Sequence, residues 1–320
     1  MSIQSTRRPP LERFRHEALL YSSDSEFLAG TVPFLEEGIA AGEAILVVVP
    51  AEKIALLRAV LATDADAVRF EDMAAVGANP ALIIPAWRAF TDLCIREGRG
   101  MRGIGEPVYK GRRPAELAEC QRHEVLLNLA FDRGAPWWLL CPYDISKLGP
   151  AVVDEARRSH PYVREAALGQ AGTAPAGAAL HEDGLPPPPA KRRVLPFTVD
   201  QLDKVRSLVG AEARREGLDP DRIAGVVLAA NEVATNSLKF GGELSVLRIW
   251  TDDGALVCEI SDHGHIASPL VDRQRPASDV GASRGLWLAN HVCDLVQIHS
   301  QPGATTVRLH MWLKPRTLVA

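Results

Sequence analysis

The sequence predicts an α/β protein built from two domains. One is an N-terminal, mostly parallel α/β domain over residues 1–168, and the other a C-terminal α/β two-layer sandwich over residues 194–320. Three observations predict this. In the N-terminal domain, apolar strand-like runs such as Ala44–Val49 alternate with segments of helical spacing, the order that produces a parallel sheet covered by helices. In the C-terminal domain a pair of helical segments precedes two strand pairs, the first pair joined by Asp253-Gly254, a strong hairpin signal. Between the domains, residues 169–193 read GQAGTAPAGAALHEDGLPPPPAKRR. Small residues and four consecutive prolines build no core and favour an extended spacer.

The elements follow in order. Residues 26–41 predict a helix with Phe27, Val32, Phe34, Leu35 and Ile39 as its apolar positions. The strand at 44–49 comes next, then a helix at 51–61 with Ile54, Leu57, Val60 and Leu61 on one side. Residues 68–70 make a short strand, 80–97 and 113–133 make helices, and 137–141 an apolar strand. Past the spacer, 199–216 is a helix carried by Leu202, Val205, Leu208 and Val209, and 220–239 is a second. Strands at 244–251 and 255–262 follow, then a helix from about 285 to 292. Two last strands, 295–300 and 305–313, are separated by Pro302-Gly303. The expected arrangement is helices on one face of a mixed sheet.

Composition narrows the function classes. A chain of 320 residues with 47% hydrophobic residues fills two cores. Its net charge of −4 provides no basic field for direct nucleic-acid binding, and the run Lys191-Arg192-Arg193 adjoins the prolines as a piece of the linker. The five cysteines are Cys94, Cys120, Cys141, Cys258 and Cys293. Their odd number and the lack of CxxC spacing argue against a disulfide framework or a structural zinc site, and fit a reduced cytosol. The first residues hold no apolar stretch of signal-peptide type, and the run at 44–49 is far too short to span a bilayer. The expectation is a soluble, cytoplasmic protein with no membrane partner.

Four stretches of the C-terminal domain carry chemistry. In Asn231-Glu232-Val233-Ala234-Thr235-Asn236-Ser237-Leu238-Lys239, Glu232 and Asn236 share one helix face. An Asn oxygen suits Mg²⁺, and a carboxylate one turn earlier can take a proton from an attacking hydroxyl. Asp262-His263-Gly264-His265 ends a strand. The carboxylate can accept from the amine of adenine, and the glycine lets a ring approach the backbone. Gly281-Ala282-Ser283-Arg284-Gly285-Leu286 leads into a helix, whose free N–H groups favour phosphate. Gly303-Ala304-Thr305-Thr306 opens the last strand. Singly, each is as readily a solvated helix face, a strand end, a helix entry or a tight turn.

Together, in this order and spacing, they resemble the Bergerat-fold ATPases over roughly 125 residues, and most closely the anti-sigma-factor serine kinases, whose loop between the second and third motifs is also short. Glu232 and Asn236 match the family's N-box, Asp262 and Gly264 its G1 box, Gly281 and Gly285 its G2 box, and Thr305 and Thr306 the threonine position of the last strand. The resemblance implies ATP and Mg²⁺ as cofactors, Glu232 as catalytic base and Asn236 as the Mg²⁺ ligand. It also implies nucleotide contacts from Lys239, Asp262, Gly264, Gly281, Arg284, Gly285, Leu286, Thr305 and Thr306. The sequence departs from the pattern at Phe240, where the N-box often ends in histidine, and at Ile266, where the G1 box often has a second glycine.

In the N-terminal domain the candidates are His16 in HEALLY, Glu106 in GEPVY, Cys120 and His123 in CQRHE, and Cys141 in LCPYD. Strand ends and the loops after them are the usual ligand side of an α/β sheet. Taken singly, a buried His or Cys is more often structural, and two donors such as Cys120 and His123 do not make a metal site. These stretches resemble, over about residues 12–168, the sensory domain named for methanogens, methylotrophs and a dichloromethane-responsive regulator, which implies a small-molecule signal. No Walker A motif is present.

The reading that follows is a signalling regulator of the anti-sigma type in transcription regulation and stress response. It would bind ATP–Mg²⁺, sequester a sigma factor, and act as a serine/threonine kinase on an anti-anti-sigma antagonist of the STAS type. Homodimers are usual in that family. Two alternatives stand beside it. One is a sensor histidine kinase, since His16-Glu17 and His123-Glu124 resemble a phosphoacceptor box, although no long helical hairpin precedes the ATPase domain. The other is a non-catalytic ATP-binding switch.

Overall fold

The computed structural model describes residues 13–166, 170–173, 184–276 and 281–314. The chain falls into two compact units. The first takes residues 1–73, 89–111 and 124–179; the second takes 74–88, 112–123 and 180–320. Two stretches that the sequence places in the N-terminal domain therefore group with the second unit.

The elements of the N-terminal half are β1 (Arg15–Tyr21), α1 (Asp24–Ala40), β2 (Ala44–Val49), α2 (Ala51–Leu61), β3 (Arg69–Asp72), α3 (Met73–Val76), α4 (Ile83–Arg96), β4 (Met101–Gly105), α5 (Pro114–Phe131), β5 (Trp138–Asp144), α6 (Pro150–Ser159), β6 (Tyr162–Glu165) and β7 (Gln170–Thr173). The strands form one sheet in the order β3-β2-β4-β5-β1-β6-β7. All neighbours are parallel except β7, which closes the edge antiparallel to β6. Central strands of such a sheet are covered on both faces and read as unbroken apolar runs. Accordingly β2, AILVVV, and β5, WLLCPYD, are buried at every position. Helix α1 starts where the Ser23 side chain accepts from the Glu26 backbone N–H at 3.2 Å, while the Glu26 carboxylate accepts from the Ser22 backbone N–H at 2.7 Å, a reciprocal N-terminal cap.

The second unit adds β8 (Arg193–Phe197), α7 (Leu202–Arg215), α8 (Pro220–Phe240), β9 (Ser245–Asp252), β10 (Ala255–Asp262), α9 (Gly281–Val292), β11 (Leu295–Gln301) and β12 (Ala304–Trp312). Its sheet runs β11-β12-β10-β9-β8 and is antiparallel throughout, which corrects the expected mixed sheet. β9–β10 and β11–β12 are hairpins, whereas β10 and β11, both antiparallel to the β12 that lies between them, run the same way and are linked by a crossover through α9. The Asp253-Gly254 turn has φ of 46° and 69°, both left-handed, as a two-residue hairpin that follows strand twist requires. One face of the sheet carries the core, in which Val205 and Val209 of α7, Ala230 and Val233 of α8 and Leu286 of α9 pack on Leu247 and Ile260. The other face holds Trp250, Val257, Leu295 and Trp312, with Ala115 against them.

Most differences from the sequence reading concern strands. The spacing of apolar residues does not reveal β1, β4, β6 or β8. β1 is nearly all buried and contains His16 and Glu17, which mask its apolar pattern. Residues 170–173, read as linker, form β7, and the linker's last residue opens β8. Residues 169 and 174–183 of the linker lie outside the described residues. Helix α9 begins at Gly281, four residues before the expected start.

Candidate functional site

Helix α8 begins sharply. Asp219 accepts from the Arg222 backbone N–H at 3.0 Å, and Pro220 occupies the first turn, where its missing N–H costs nothing. The helix turns its small residues Ala229, Ala230 and Ala234 inward. Glu232 and Asn236, half-buried, lie one turn apart on its flank.

At its C-terminal end α8 meets the end of β10, and the approach is tight. A Cβ on Gly264 would lie 2.9 Å from the Phe240 carbonyl oxygen, and one on Gly241 would lie 2.2 Å from Asp262 Oδ1. His263 N–H donates to the Gly241 carbonyl at 3.1 Å. The Asp262 carboxylate is thereby fixed. Its Oδ2 accepts from the Ser237 hydroxyl at 2.5 Å and its Oδ1 from the Gly264 N–H at 2.7 Å. The following loop is tied to the hairpin β11–β12. Ile266 N–H donates to Ser300 Oγ at 2.8 Å, Ser300 and Thr305 hydroxyls are 2.7 Å apart, and Thr305 Oγ1 donates to the Gly264 carbonyl at 3.2 Å.

These elements enclose a cavity of about 250 Å³. Val233, Ile266, Leu286 and Val307 give it apolar walls, and Asn236, Asp262 and Thr305 supply polar groups. A small apolar cleft with few converging polar groups is the usual form of a ligand site. Phe240 stands at its rim, 54% exposed.

Helix α9 lies against the flank of α8. A Cβ at Gly285 would fall 2.9 Å from Asn236 Nδ2 and 3.1 Å from Glu232 Oε2, so only glycine lets the helix pass this close to both side chains. The structure thus gathers Glu232, Asn236, Asp262, Gly264, Gly285, Leu286 and Thr305 at one place. Three expected contributors stand apart from the cavity. Thr306 follows Thr305 on a strand and so faces the other side of the sheet, its hydroxyl 3.4 Å from Ser261 Oγ. Lys239 is exposed, its ammonium 5.1 Å from the Phe240 ring centroid. Arg284 is exposed. Gly281 starts α9, and residues 277–280 before it lie outside the described residues. Sequence reasoning missed Ser237, Gly241 and Ser300. Ser237 lies inside the first motif, and only its partner 25 positions later reveals its role.

In the first unit the expected residues separate into two groups. Glu106 follows the C-terminal end of β4. Its Oε1 accepts from the Tyr21 hydroxyl at 2.7 Å, and burial pushes its carboxyl up to about 8, opposed by Tyr21 and Lys53. Lys53, itself buried, donates to Asp24 at 2.6 Å. The second group holds His16 and Cys141, with Cys141 Sγ 3.3 Å from His16 Nε2. Beside them the structure places two residues the sequence reading did not select, Glu124 and His160. His16 Nε2 is 3.0 Å and His160 Nε2 3.4 Å from Glu124 Oε2. Burial, then the neighbouring His160, holds the His16 imidazole below its ordinary range, and burial pushes the Cys141 thiol well up. Cys120 and His123, which group with the second unit, are buried.

No helix among the described residues is long and apolar enough to cross a membrane. Comparison with curated proteins finds no match. Among solved structures, the RsbU and RsbW domains of Rv1364c from Mycobacterium tuberculosis are similar at 21% identity, over 40% of this chain and 35% of that one, with a TM-score of 0.29. This chain therefore spans well under two thirds of that chain's length. Residues 15–161 match the model of the methanogen/methylotroph, DcmR sensory domain, and residues 195–311 match the model of the histidine kinase-like ATPase domain. The chain thus carries a sensory domain of the methanogen/methylotroph and DcmR type, followed by a histidine kinase-like ATPase domain.

Proposed function

We propose that the protein is a signalling regulator of the anti-sigma type. Its ATPase domain, over residues 194–320, would bind ATP–Mg²⁺, hold a sigma factor and transfer phosphate to a serine or threonine of a STAS-type antagonist. The sensory domain, over residues 1–168, would receive a small-molecule signal. One observation carries the nucleotide reading: the Asp262 carboxylate, gripped from behind by Ser237 and Gly264, lines an apolar cavity. Each of its oxygens accepts one bond there and keeps a lone pair for a further donor, which suits the amine of adenine.

The donor set fits nucleotide and metal. Gly264 and Gly285 are positions where a Cβ would fill the space or strike the flanking side chains, and Asn236 offers a hard oxygen beside the same cavity. Bound Mg²⁺ would neutralise charge on the phosphates. The chain's own residues would do the rest. Asp262 orients the base, Thr305 holds the Gly264 loop, Asn236 faces the metal side, and Glu232 stands one turn away to take the proton of an acceptor hydroxyl.

The test is to mix the full chain with radiolabelled ATP, candidate sigma factors and STAS-type proteins, and to locate the label. Label on an antagonist Ser or Thr is expected. It should vanish in Glu232→Gln while ATP and sigma-factor binding persist. Label on a histidine of this chain would replace the reading with a histidine kinase. ATP and partner binding without transfer to any antagonist would leave a nucleotide-dependent binding switch.

A further inference from the structure

The sensory domain contains a cluster that the nucleotide reading does not use. His16 on β1, Glu124 on α5, Cys141 on β5 and His160 after α6 are all buried, with one ligand atom from each lying within 4.8 Å of every other. Burying four such groups together is costly unless something balances their charge and lone pairs.

The hydrogen bonds around the cluster fix one proton on each imidazole. Asn128 Nδ2 donates to the Ser159 carbonyl at 2.8 Å, so its Oδ1 faces His16 Nδ1 at 3.0 Å as an acceptor. His16 Nδ1 is therefore the protonated nitrogen. His160 Nδ1 points at the Ala156 carbonyl at 2.8 Å and must donate as well. Neutral imidazoles so oriented turn both Nε2 lone pairs inward. Yet both Nε2 atoms face Glu124 Oε2, at 3.0 and 3.4 Å, and a carboxylate oxygen is also an acceptor. With both imidazoles neutral, lone pairs meet lone pairs, and either a further proton or a cation must sit between them. Glu124 Oε1 and His160 Nε2 are moreover buried without a hydrogen-bond partner among the described residues. An inward-facing Nε2 with Nδ1–H anchored to a carbonyl or amide oxygen is the arrangement of metal-ligating histidines.

We propose that His16, Glu124, Cys141 and His160 form a closed, four-ligand site for a divalent transition metal, zinc being the best fit. A tetrahedral ion with bonds of about 2.0–2.3 Å sets its ligand atoms roughly 3.3–3.8 Å apart. The separations of 3.0, 3.3 and 3.4 Å need shifts of a few tenths of an ångström, and the other pairs, all within 4.8 Å, need to close by about 1 Å at most. Charge balances too. The ion displaces the thiol proton, forming the metal–sulfur bond and releasing H⁺ to solvent. One thiolate, one carboxylate and two neutral imidazoles then leave the site with no net charge. Sulfur and imidazole ligands select against Mg²⁺ and Ca²⁺. With four protein ligands and full burial, the ion would lock β1, β5, α5 and the end of α6 together rather than hold a reacting water. No short spacing motif betrays such a site, because each ligand comes from a different element.

The test uses the full chain. Protein from zinc-replete cells should carry close to one zinc per chain by mass-spectrometric metal analysis. Protein from cobalt-supplemented minimal medium should show the ligand-field bands of tetrahedral Co²⁺ with a thiolate-to-cobalt charge-transfer band. Cys141→Ser should lose the charge-transfer band, and Cys94→Ser should keep it. Asn128→Ala, which frees His16 to turn, should weaken metal binding by about 10–100-fold. Chelator should lower the urea midpoint of the wild type. The proposal is overturned if the wild type carries no stoichiometric transition metal from either medium, or if its cobalt spectrum is unchanged by Cys141→Ser. Because the wild-type measurements alone decide the first point, a poorly folding variant does not rescue it.

Discussion

Glu106→Gln isolates the energetic consequence of one buried carboxyl. Burial raises the Glu106 carboxyl from an ordinary 4.5 to about 8, so the folded chain holds its proton where the unfolded chain has released it. A carboxyl with a raised folded value disfavours the folded state as pH climbs between the two values. The loss starts near 4.5 and is complete near 8. The full difference, at 1.36 kcal/mol per unit, is about 5 kcal/mol, and the portion falling between about pH 5.5 and 8.5 is about 3 kcal/mol. Glutamine keeps an acceptor for the Tyr21 hydroxyl, which sits at 2.7 Å, and has no proton to lose. Urea denaturation of wild type and variant at both pH values measures the effect. Relative to wild type, Glu106→Gln should gain about 3 kcal/mol on going from about pH 5.5 to 8.5. Parallel stability curves would show that Glu106 ionises normally and that its burial is compensated by a partner other than Tyr21 and Lys53.

Three further outcomes test the proposed nucleotide site. Asp262→Asn leaves one acceptor oxygen for the Ser237 and Gly264 donors and turns an amide against one of them. ATP and adenosine should both bind about 10–100-fold more weakly by calorimetry. Asn236→Ala should weaken ATP–Mg²⁺ by about 10-fold and leave adenosine affinity unchanged, since it acts on the metal side. Gly285→Ala puts a methyl 2.9 Å from Asn236 Nδ2 and 3.1 Å from Glu232 Oε2. It should lower stability by about 1–3 kcal/mol and weaken nucleotide binding with it, read by thermal unfolding with and without ATP.

The two halves differ in how much of their chemistry the sequence displays. In the ATPase domain the proposed functional groups sit at element ends whose position follows from local rules. Glu232 and Asn236 share a helix flank by spacing alone, and Asp262 closes a strand that a turn of known type begins. What stays hidden is the support. Ser237 and Ser300 act through partners far along the chain, and Thr306 is misplaced only because a threonine pair does not say which member faces the helices. In the sensory domain the failure is of another kind. His123 and Glu124 are neighbours on α5, and their directions from the axis differ by about 100°. Choosing between them requires knowing which face of the helix is turned to the sheet. The sequence reading favours His123, whereas Glu124 meets His16. His160 lies just past a helix end before a proline, where nothing local distinguishes it from a surface histidine.

The two departures from the kinase pattern can now be placed, and their places separate binding from transfer. Ile266 stands where a second glycine is usual, yet its backbone N–H is satisfied by Ser300 at 2.8 Å and its side chain forms a stretch of the cavity wall. The glycine that cannot be spared is Gly264, 2.9 Å from the Phe240 carbonyl if given a Cβ, and it is present. Ile266 therefore adds apolar surface where an adenine ring would lie, which favours binding. Phe240 is exposed at the rim, past the end of the face that holds Glu232 and Asn236. A ring there supplies no proton acceptor or charge where histidine would, so its effect falls on whatever approaches the rim. Nucleotide affinity should accordingly depend on Asp262 and Gly264 and be indifferent to Phe240→His, while the same substitution alters the rate of transfer to a partner. If Phe240→His changed ATP affinity as strongly as Asp262→Asn, the rim and the base pocket would have to be one site, and the division drawn between them would fail.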